Sequence, residues 1–253
     1  MRPIVTLLTD FGTADGYVGE MKGGLLSALP DATIVDISHD IPPQDVELAR
    51  LTLARYWRRF PSGTIHVVVI DPGVGSSRAA LAVVTEGRIL VGPDNGVLSP
   101  ALLMPGVRVV ALGVPPGAAP TFHGRDVFVP AAAALARGAP FESLGTPWPQ
   151  PIVRRTPEPV RDGDGVVRGE VIAVDRFGNL VTNLVGVRSG VVRIGARRVE
   201  VRRTYADVPA SSLVAMVGSS GLLEIAMRDG SAAVALGAGR GTSVWADTRH
   251  SRR

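Results

Sequence analysis

Short apolar segments alternate with longer amphipathic segments through the first half of the chain. Short runs of apolar and β-branched residues bounded by Gly, Pro or Asp predict buried strands, and apolar positions at helical spacing predict helices. The predicted strands are residues 4–8, 33–37, 65–70, 79–85, 88–91 and 107–112, and the predicted helices are residues 17–29, 45–60 and 127–137. This alternation predicts an α/β domain with a mostly parallel sheet flanked by helices.

The pattern changes between Gly145 and Gly165, where repeated prolines and an Asp-Gly-Asp-Gly sequence indicate an extended segment. Beyond it, short strand-like runs follow one another without a long helical period. These runs are residues 167–174, 191–194, 197–201, 213–217, 222–226 and 242–246. We therefore expect a smaller all-β, barrel-like domain. The predicted organisation is an α/β domain at residues 1–155, a linker at 156–166 and the β domain at 167–253.

Composition excludes several classes of protein. The 253 residues are 45% hydrophobic and 20% charged, which is typical of a folded globular protein. Cysteine is absent, so there is no disulfide framework, thiolate metal site or cysteine nucleophile. No apolar run approaches the roughly 18 residues of a membrane span, and the N-terminal run is too short for a signal peptide. We expect a cytoplasmic protein with no membrane partner.

The net charge of +4 and the pI of about 10.2 raise the question of nucleic-acid binding. Such binding needs basic residues clustered on one surface, with aromatic residues available for stacking. Here the arginines are spread along the chain in small groups, and no aromatic residues lie between them. We therefore expect no nucleic-acid partner.

Polar residues gather at the ends of three predicted strands. Asp10 and Asp15 follow the first strand, the segment 38–43 follows the second, and the segment 71–78 follows the third. Ligands of open α/β sheets bind beyond the carboxyl ends of the strands. If these strands are parallel neighbours, the three segments converge on one edge of the sheet. Asp10 and Asp71 would then lie at the bottom of the crevice beyond the strand ends.

Each of these segments also has a simpler interpretation. Asp-Pro-Gly is a common turn, and the glycines at 73 and 75 lack the rest of a P-loop or dinucleotide-binding motif. His39, in a proline-bounded loop, fits a structural role better than that of a ligand or base. Asp10, His39, Asp71 and His123 together could suggest a metallohydrolase, but their spacing matches no metal motif. We expect no metal and no cofactor.

The second domain contains one segment suited to binding a purine. Asp175-Arg176-Phe177-Gly178-Asn179 interrupts the strand pattern, and its simplest interpretation is a hairpin turn. Phe177, however, offers a ring for stacking, and the Asn179 amide could pair with an adenine edge by donating and accepting at once. Gly218-Ser219-Ser220-Gly221 is a second candidate turn.

Six segments in this order resemble one family, the S-adenosyl-L-methionine (SAM) hydroxide adenosyltransferases, which are SAM hydrolases related to fluorinase and chlorinase. They are Thr9-Asp10-Phe11-Gly12, Asp36-Ile37-Ser38-His39-Asp40-Ile41-Pro42-Pro43, Asp71-Pro72-Gly73-Val74-Gly75 to Arg78, Gly92-Pro93-Asp94-Asn95-Gly96, Phe122-His123-Gly124-Arg125-Asp126 and Asp175-Arg176-Phe177-Gly178-Asn179. The resemblance extends over nearly the whole chain, and six ordered motifs are far more specific than any one of them.

The resemblance implies hydrolysis of SAM to adenosine and L-methionine without a metal. It also implies a homotrimer with active sites at the subunit interfaces. By matching position, Asp71, Arg78 and His123 would handle the attacking water, and Asp10 would hold the ribose hydroxyls. Asp15, Asp175 and Ser219 would hold the methionine end, while Phe177, Asn179 and Tyr205 would frame the adenine. One position departs from the family, which often has Asn where this chain has Gly218.

Two other functions remain open at this point. Halide-dependent SAM adenosyltransferases, which form 5′-halo-5′-deoxyadenosine, carry aromatic residues where this chain has Asp71 and His123. A non-catalytic sensor of adenosine or SAM would need neither of these residues. The set of Asp71, Arg78 and His123 therefore favours the hydrolase. Which of Asp71 and His123 accepts the proton from water is not decided by the sequence.

Overall fold

A computed structural model describes residues 2–162 and 165–247. The chain forms two compact units, residues 1–155 and 156–253. Residues 163–164 of the expected linker and residues 248–253 of the expected second domain lie outside the described residues. Every helix within residues 2–162 and 165–247 is too short or too polar to traverse a lipid bilayer.

The first unit is built around a seven-stranded sheet with the order β2-β1-β3-β5-β4-β6-β7. Its strands are β1 Ile4–Thr9, β2 Thr33–Ser38, β3 Ile65–Val69, β4 Ala80–Thr85, β5 Arg88–Pro93, β6 Arg108–Leu112 and β7 Gly145–Pro147. Its helices are α1 Tyr17–Ala28, α2 Val46–Tyr56, α3 Ser99–Leu102 and α4 Val129–Ala136. A π-helical turn, Gly124–Phe128, leads directly into α4.

Both faces of this sheet are buried, which explains the continuous apolar runs in its sequence. Successive side chains of a strand point to opposite faces. Leu7 therefore joins a core with α1 and α4, whereas Leu8 joins a second core with α2 on the other face. Trp57 closes the second core and is 2% exposed. Burial on both faces is typical of an α/β sheet with helices on each side.

The α/β fold class is confirmed, and the sheet is mixed. β2, β1, β3 and β5 run parallel, but β4 pairs antiparallel with both β5 and β6, and β7 pairs antiparallel with β6. The tight turn between β4 and β5 contains Glu86 and Gly87, both at positive φ. Two consecutive residues of positive φ favour a two-residue hairpin. β7 also places residues 145–147 in the first sheet, although the sequence pattern assigned them to an extended segment.

The second unit is an all-antiparallel sheet of eight strands. They are β8 Val160–Arg161, β9 Val166–Val174, β10 Leu180–Val185, β11 Val191–Ile194, β12 Arg197–Glu200, β13 Leu213–Val217, β14 Leu222–Met227 and β15 Ser243–Asp247. A bridge between Val201 and Ala215 joins the two ends of the strand order, so the sheet nearly closes into a barrel, as expected. The short strand β8 pairs with β9, so part of the expected linker belongs to this sheet.

Two further elements of this unit, β10 and a short helix, are absent from the sequence prediction. β10 contains the polar pair Thr182-Asn183, which breaks the apolar pattern, yet both residues are buried and hydrogen-bonded. Thr182 donates to the Leu223 carbonyl, and the Asn183 side chain accepts from the Glu170 amide.

A short helix α5, Ala232–Leu236, is capped by Ser231 and ends at Gly237 with φ 58°. These two residues are ordinary helix start and stop signals.

His66 on β3 is an ionisable side chain buried in the first unit. It is fully buried, and its Nδ1 lies 2.8 Å from the Thr6 hydroxyl. The rings of Tyr56 and Phe60 contact it edge-on, with centroids 5.5 and 5.6 Å away. Burial, assisted by the charge of Arg88, lowers the pKa of His66 to about 4. The folded state therefore keeps this imidazole neutral.

We expect His66 to make the protein less stable as the pH falls from about 6.5 to about 4. An unfolded chain binds the proton near pH 6.5, whereas the folded chain binds it only near pH 4, so the free energy of unfolding falls in that window by up to about 3 kcal/mol. Urea denaturation across this pH range measures the loss. A His66→Gln variant should show a shallower decline, and identical slopes in the two proteins would contradict the prediction.

Candidate active site

The loop after β3 folds back so that its last residue reaches its first. Within it, the Ser76 amide donates to the Gly73 carbonyl at 3.1 Å, and the Ser76 hydroxyl accepts from the Arg78 amide at 3.2 Å. The Arg78 side chain then reaches Asp71. Its Nε donates to Asp71 Oδ1 at 3.0 Å, and its Nη2 donates to Oδ2. This is the bidentate arrangement that a guanidinium forms with a carboxylate.

Gly75 allows this loop to pack against the segment that precedes His123. Its φ is +77°, and a Cβ at this position would lie 2.7 Å from the Pro120 carbonyl oxygen. A side chain at residue 75 would therefore be strained and would also push the two segments apart. The close approach of the two loops brings residues 78 and 123 within contact distance.

His123 stands at the start of the π-helical turn that leads into α4. Its Nδ1 lies 3.2 Å from Arg78 Nη2. A guanidinium can only donate, so Nδ1 must accept, and a neutral His123 then carries its proton on Nε2. The structure thus joins Asp71, Arg78 and His123 through the guanidinium, and the three residues named from the sequence lie in one cluster.

The cluster is largely closed to solvent. The side chains of Asp71 and Arg78 are 5% and 8% exposed. Burial raises the pKa of Asp71, although the adjacent guanidinium opposes the shift. Burial, followed by the charge of Arg78, lowers the pKa of His123. The cluster thus combines a buried carboxyl–guanidinium pair with an imidazole whose pKa is lowered, and perturbed groups of this kind are typical of active sites.

The first strand brings Asp10 to the same edge of the sheet. β1 and β3 are parallel neighbours in which Thr9 pairs with Val69, so Asp10 and Asp71 both follow the carboxyl ends of adjacent strands. Asp10 Oδ2 accepts from the Gln44 amide at 2.7 Å. β2 is the other neighbour of β1, which places all three strand-end segments on one edge as expected. Asp15 is exposed, just before α1.

Asn95 and Asp94 support this edge, although the sequence analysis gave them no individual role. The Asn95 amide donates to the Ile70 carbonyl at 2.8 Å, immediately before Asp71. Asp94 is buried and accepts from the Trp148 indole at 2.9 Å and from the Ile152 amide at 2.7 Å. Within residues 2–162 and 165–247, no group of three or more His, Asp or Glu side chains is arranged to hold a metal ion.

The second unit contains a cavity of about 520 Å³. Three residues named from the sequence as an adenine frame line it: Phe177, Asn179 and Tyr205. The remaining lining residues are Thr204, Ala206, Met227, Arg228, Asp229 and Gly230. Phe177 is 76% exposed, so its ring is available to a ligand or a partner.

The turn at residues 175–179 determines which atoms of Asn179 a ligand can use. Asp175 Oδ1 accepts from the Phe177 and Asn179 amides, both at 2.9 Å. The Asn179 side-chain nitrogen donates to Asp175 Oδ2 at 2.8 Å and to the Tyr205 hydroxyl at 3.2 Å. Both N–H groups are therefore occupied, and Oδ1 is the atom left for a ligand. The expectation that this amide both donates to and accepts from adenine stays a prediction, and in this arrangement the oxygen is the atom available to accept.

Asp175 and Ser219, two of the expected methionine-end residues, are not among the residues that line this cavity. The Asp175 carboxylate is engaged by its own turn, and Ser219 is exposed in the turn between β13 and β14. At Gly218, where the family often has Asn, a Cβ would lie 1.8 Å from Glu224 Oε1. Glu224 therefore occupies the space that a side chain at residue 218 would need.

Comparisons with known proteins agree with the residue motifs. Residues 5–145 match the SAM hydroxide adenosyltransferase N-terminal domain, and residues 169–245 match the C-terminal domain of the same family. The fold and the cluster thus define a class of two-domain proteins with an α/β domain and a β-barrel domain. The chain belongs to the SAM hydroxide adenosyltransferase family.

Two relatives extend over almost the full chain, and a third covers about three quarters of it. An (R)-S-adenosyl-L-methionine hydrolase from Thermus thermophilus is 44% identical, over 96% of this chain and 99% of the relative. A solved structure from Thermotoga maritima is 34% identical and superposes with a TM-score of 0.87, over 95% of this chain and 98% of that chain. A fluorinase from Nocardia brasiliensis is 31% identical over 72% of this chain and 71% of the relative.

Proposed function

We propose that this protein hydrolyses S-adenosyl-L-methionine to adenosine and L-methionine. Family membership and the 44% identity to a SAM hydrolase support the reaction. The observation that carries the proposal is the buried cluster of Asp71, Arg78 and His123, because it offers the groups needed to bind and deprotonate a water molecule.

The difficult part of this reaction is the activation of the nucleophile, water. The sulfonium of SAM leaves readily as a neutral thioether, so the protein need not supply an acid to it. Water is a weak nucleophile, with a pKa of about 15.7. Holding the water in line with the C5′–S bond increases the reaction rate through orientation. A base that takes its proton typically increases the rate by a further factor of about 10²–10⁴. The new C5′–O bond forms as the C5′–S bond breaks, and one proton is released.

Asp71 is the better candidate for the base. Arg78 donates to His123 Nδ1, so a neutral His123 presents Nε2–H, a donor that can orient the water oxygen but cannot take its proton. The Asp71 oxygens retain lone pairs beyond those used by Arg78. The raised pKa of Asp71 also makes it a stronger base than an exposed carboxylate. Arg78 stabilises the hydroxide character that develops on the water.

The remaining site residues act on the substrate in this proposal. Asp10 binds the ribose hydroxyls through the oxygen not engaged by Gln44. Phe177, Asn179 and Tyr205 bind the adenine, and Asp15, Asp175 and Ser219 hold the methionine end. No metal or other cofactor takes part, since charge neutralisation between hydroxide and sulfonium needs none.

The alternative of a halide-dependent adenosyltransferase is less favoured. The fluorinase relative shares less of its sequence with this chain than the hydrolase relative does. A halide also needs no base, so a buried carboxylate at residue 71 would serve no purpose and would repel the anion. A non-catalytic sensor likewise has no use for this cluster.

Replacing Asp71 by Asn tests the reaction and the base together. The parent protein, incubated with SAM and a chelator, should yield adenosine and methionine by chromatography. Asp71→Asn should lower turnover by at least 10²-fold, because the amide cannot accept the proton. Its adenosine affinity, measured by calorimetry, should stay within about twofold.

Three outcomes would contradict this proposal. A 5′-halo nucleoside formed on adding chloride or fluoride would identify a halide transferase, and unchanged SAM would favour a sensor. Equal losses of turnover and adenosine affinity in Asp71→Asn would make the residue structural. Thermal unfolding of the variant is the control, because the substitution removes the charge that compensates the buried Arg78.

Asn179 should make the site select 6-amino over 6-oxo purines. Its side-chain oxygen accepts from the adenine amino group, whereas the carbonyl of inosine would face another acceptor. Adenosine should therefore bind at least tenfold more tightly than inosine in a calorimetric titration. Asn179→Ala should weaken adenosine binding by about 1–3 kcal/mol and should largely remove the preference. An unchanged adenosine dissociation constant would remove Asn179 from the adenine site.

We also propose that the chain assembles as a homotrimer with its active sites at the subunit interfaces. Phe177 of the second unit is 76% exposed, and aromatic residues are enriched at protein interfaces. Sedimentation equilibrium should give three times the chain mass at micromolar concentration. A monomer under these conditions would contradict the assembly.

A further inference from the structure

We propose that His39 is a positioning residue that holds Asp10 in the orientation needed to bind the ribose. The inference rests on the proposed function, in which Asp10 contacts the ribose hydroxyls. It assigns His39 a part in ligand selection.

The pairing of β1 with β2 places His39 beside the turn that carries Asp10. The register between the two strands shifts after Leu7, which pairs with Asp36, so that Leu8 pairs with Ser38. A shift of this kind inserts one extra residue and redirects the side chains that follow, and such irregularities are frequent next to active sites. Here the side chain after Ser38, the imidazole of His39, turns into the protein and is 6% exposed.

His39 contacts the chain on both sides of Asp10. Its Nδ1 lies 2.8 Å from the Thr9 hydroxyl, one residue before Asp10. Its carbonyl accepts from the Gly12 amide at 2.8 Å, two residues after Asp10. The residue therefore holds the backbone of the turn at its start and at its end.

The carboxylate itself is held by the same loop. Asp10 Oδ2 accepts from the Gln44 amide, and Gln44 has a φ of +66°, which is unusual for a residue with a side chain. A strained backbone is often found at a functional site. Three hydrogen bonds thus join the loop 39–44 to the turn 9–12, and two of them come from His39.

A charged pair lies on the other side of the His39 ring. Its Nε2 lies 3.1 Å from Asp36 Oδ1, and Asp36 Oδ2 lies 2.5 Å from Lys22 Nζ. The Thr9 hydroxyl thus holds the ring at Nδ1, and Nε2 faces the Asp36 carboxylate on the opposite side. Lys22 is the only lysine of the chain.

The test compares two ligands that differ only at the ribose. Adenosine carries the 2′- and 3′-hydroxyls, and 2′,3′-dideoxyadenosine lacks both. His39→Ala in the full chain should weaken adenosine binding by about tenfold and leave dideoxyadenosine binding within about twofold. His39→Asn, whose side-chain oxygen can accept near the position of Nδ1, should recover most of the adenosine affinity.

Asp10→Ala is the matched control, and thermal unfolding of each variant accompanies the titrations. Equal losses for both ligands in His39→Ala, or no loss for either, would overturn the positioning role. If Asp10→Ala weakens the binding of adenosine but not of dideoxyadenosine, and His39→Ala does not show this difference, only the positioning role of His39 is overturned. If Asp10→Ala fails to distinguish the ligands, the proposed ribose contact falls, and the role of His39 falls with it.

Discussion

The buried ion pair between Asp71 and Arg78 is the interaction on which the first unit's site depends. Removing two charges from water is costly, and a buried pair recovers the cost only with good geometry and further hydrogen bonds. Here the guanidinium binds both carboxylate oxygens, donates to the Ala79 carbonyl at 3.0 Å and contacts His123. Loss of one partner would leave an uncompensated charge in a buried site. The loop must therefore keep the two side chains in contact.

Much of the surrounding structure serves to hold that loop. Ser76 closes it internally, Gly75 lets it meet the segment before His123, and Asn95 anchors the carbonyl just before Asp71. Each contact uses a backbone group, so each fixes the path of the chain and not only one side chain. The first unit thus resembles a rigid scaffold whose strand ends present polar groups, which is how α/β proteins separate stability from function.

The sequence was sufficient to predict the two fold classes, the edge of the sheet that carries the polar residues, and the cluster of Asp71, Arg78 and His123. The sequence did not predict features that depend on contacts between residues distant in the chain. The direction of β4 depends on a hairpin turn without Asn-Gly, and β10 carries buried polar residues whose partners come from other strands. The donors of Asn179 are occupied by Asp175 and Tyr205, and the second of these contacts spans 26 residues. Periodicity reports burial, but it does not report which hydrogen bonds are already made.

A common principle connects the three ambivalent groups of the proposed site. Imidazole and amide side chains can each donate or accept, so their chemistry is undefined until a neighbour restricts it. Arg78, which only donates, makes His123 Nδ1 an acceptor. Asp175, which only accepts, turns the Asn179 nitrogen toward itself and leaves the oxygen outward. Asp36, which also only accepts, lies 3.1 Å from Nε2 of His39. In each case a charged side chain restricts the hydrogen bonds that its neighbour can make. Conservative changes to these charged residues should therefore alter the hydrogen-bonding character of a neighbour before they alter the fold.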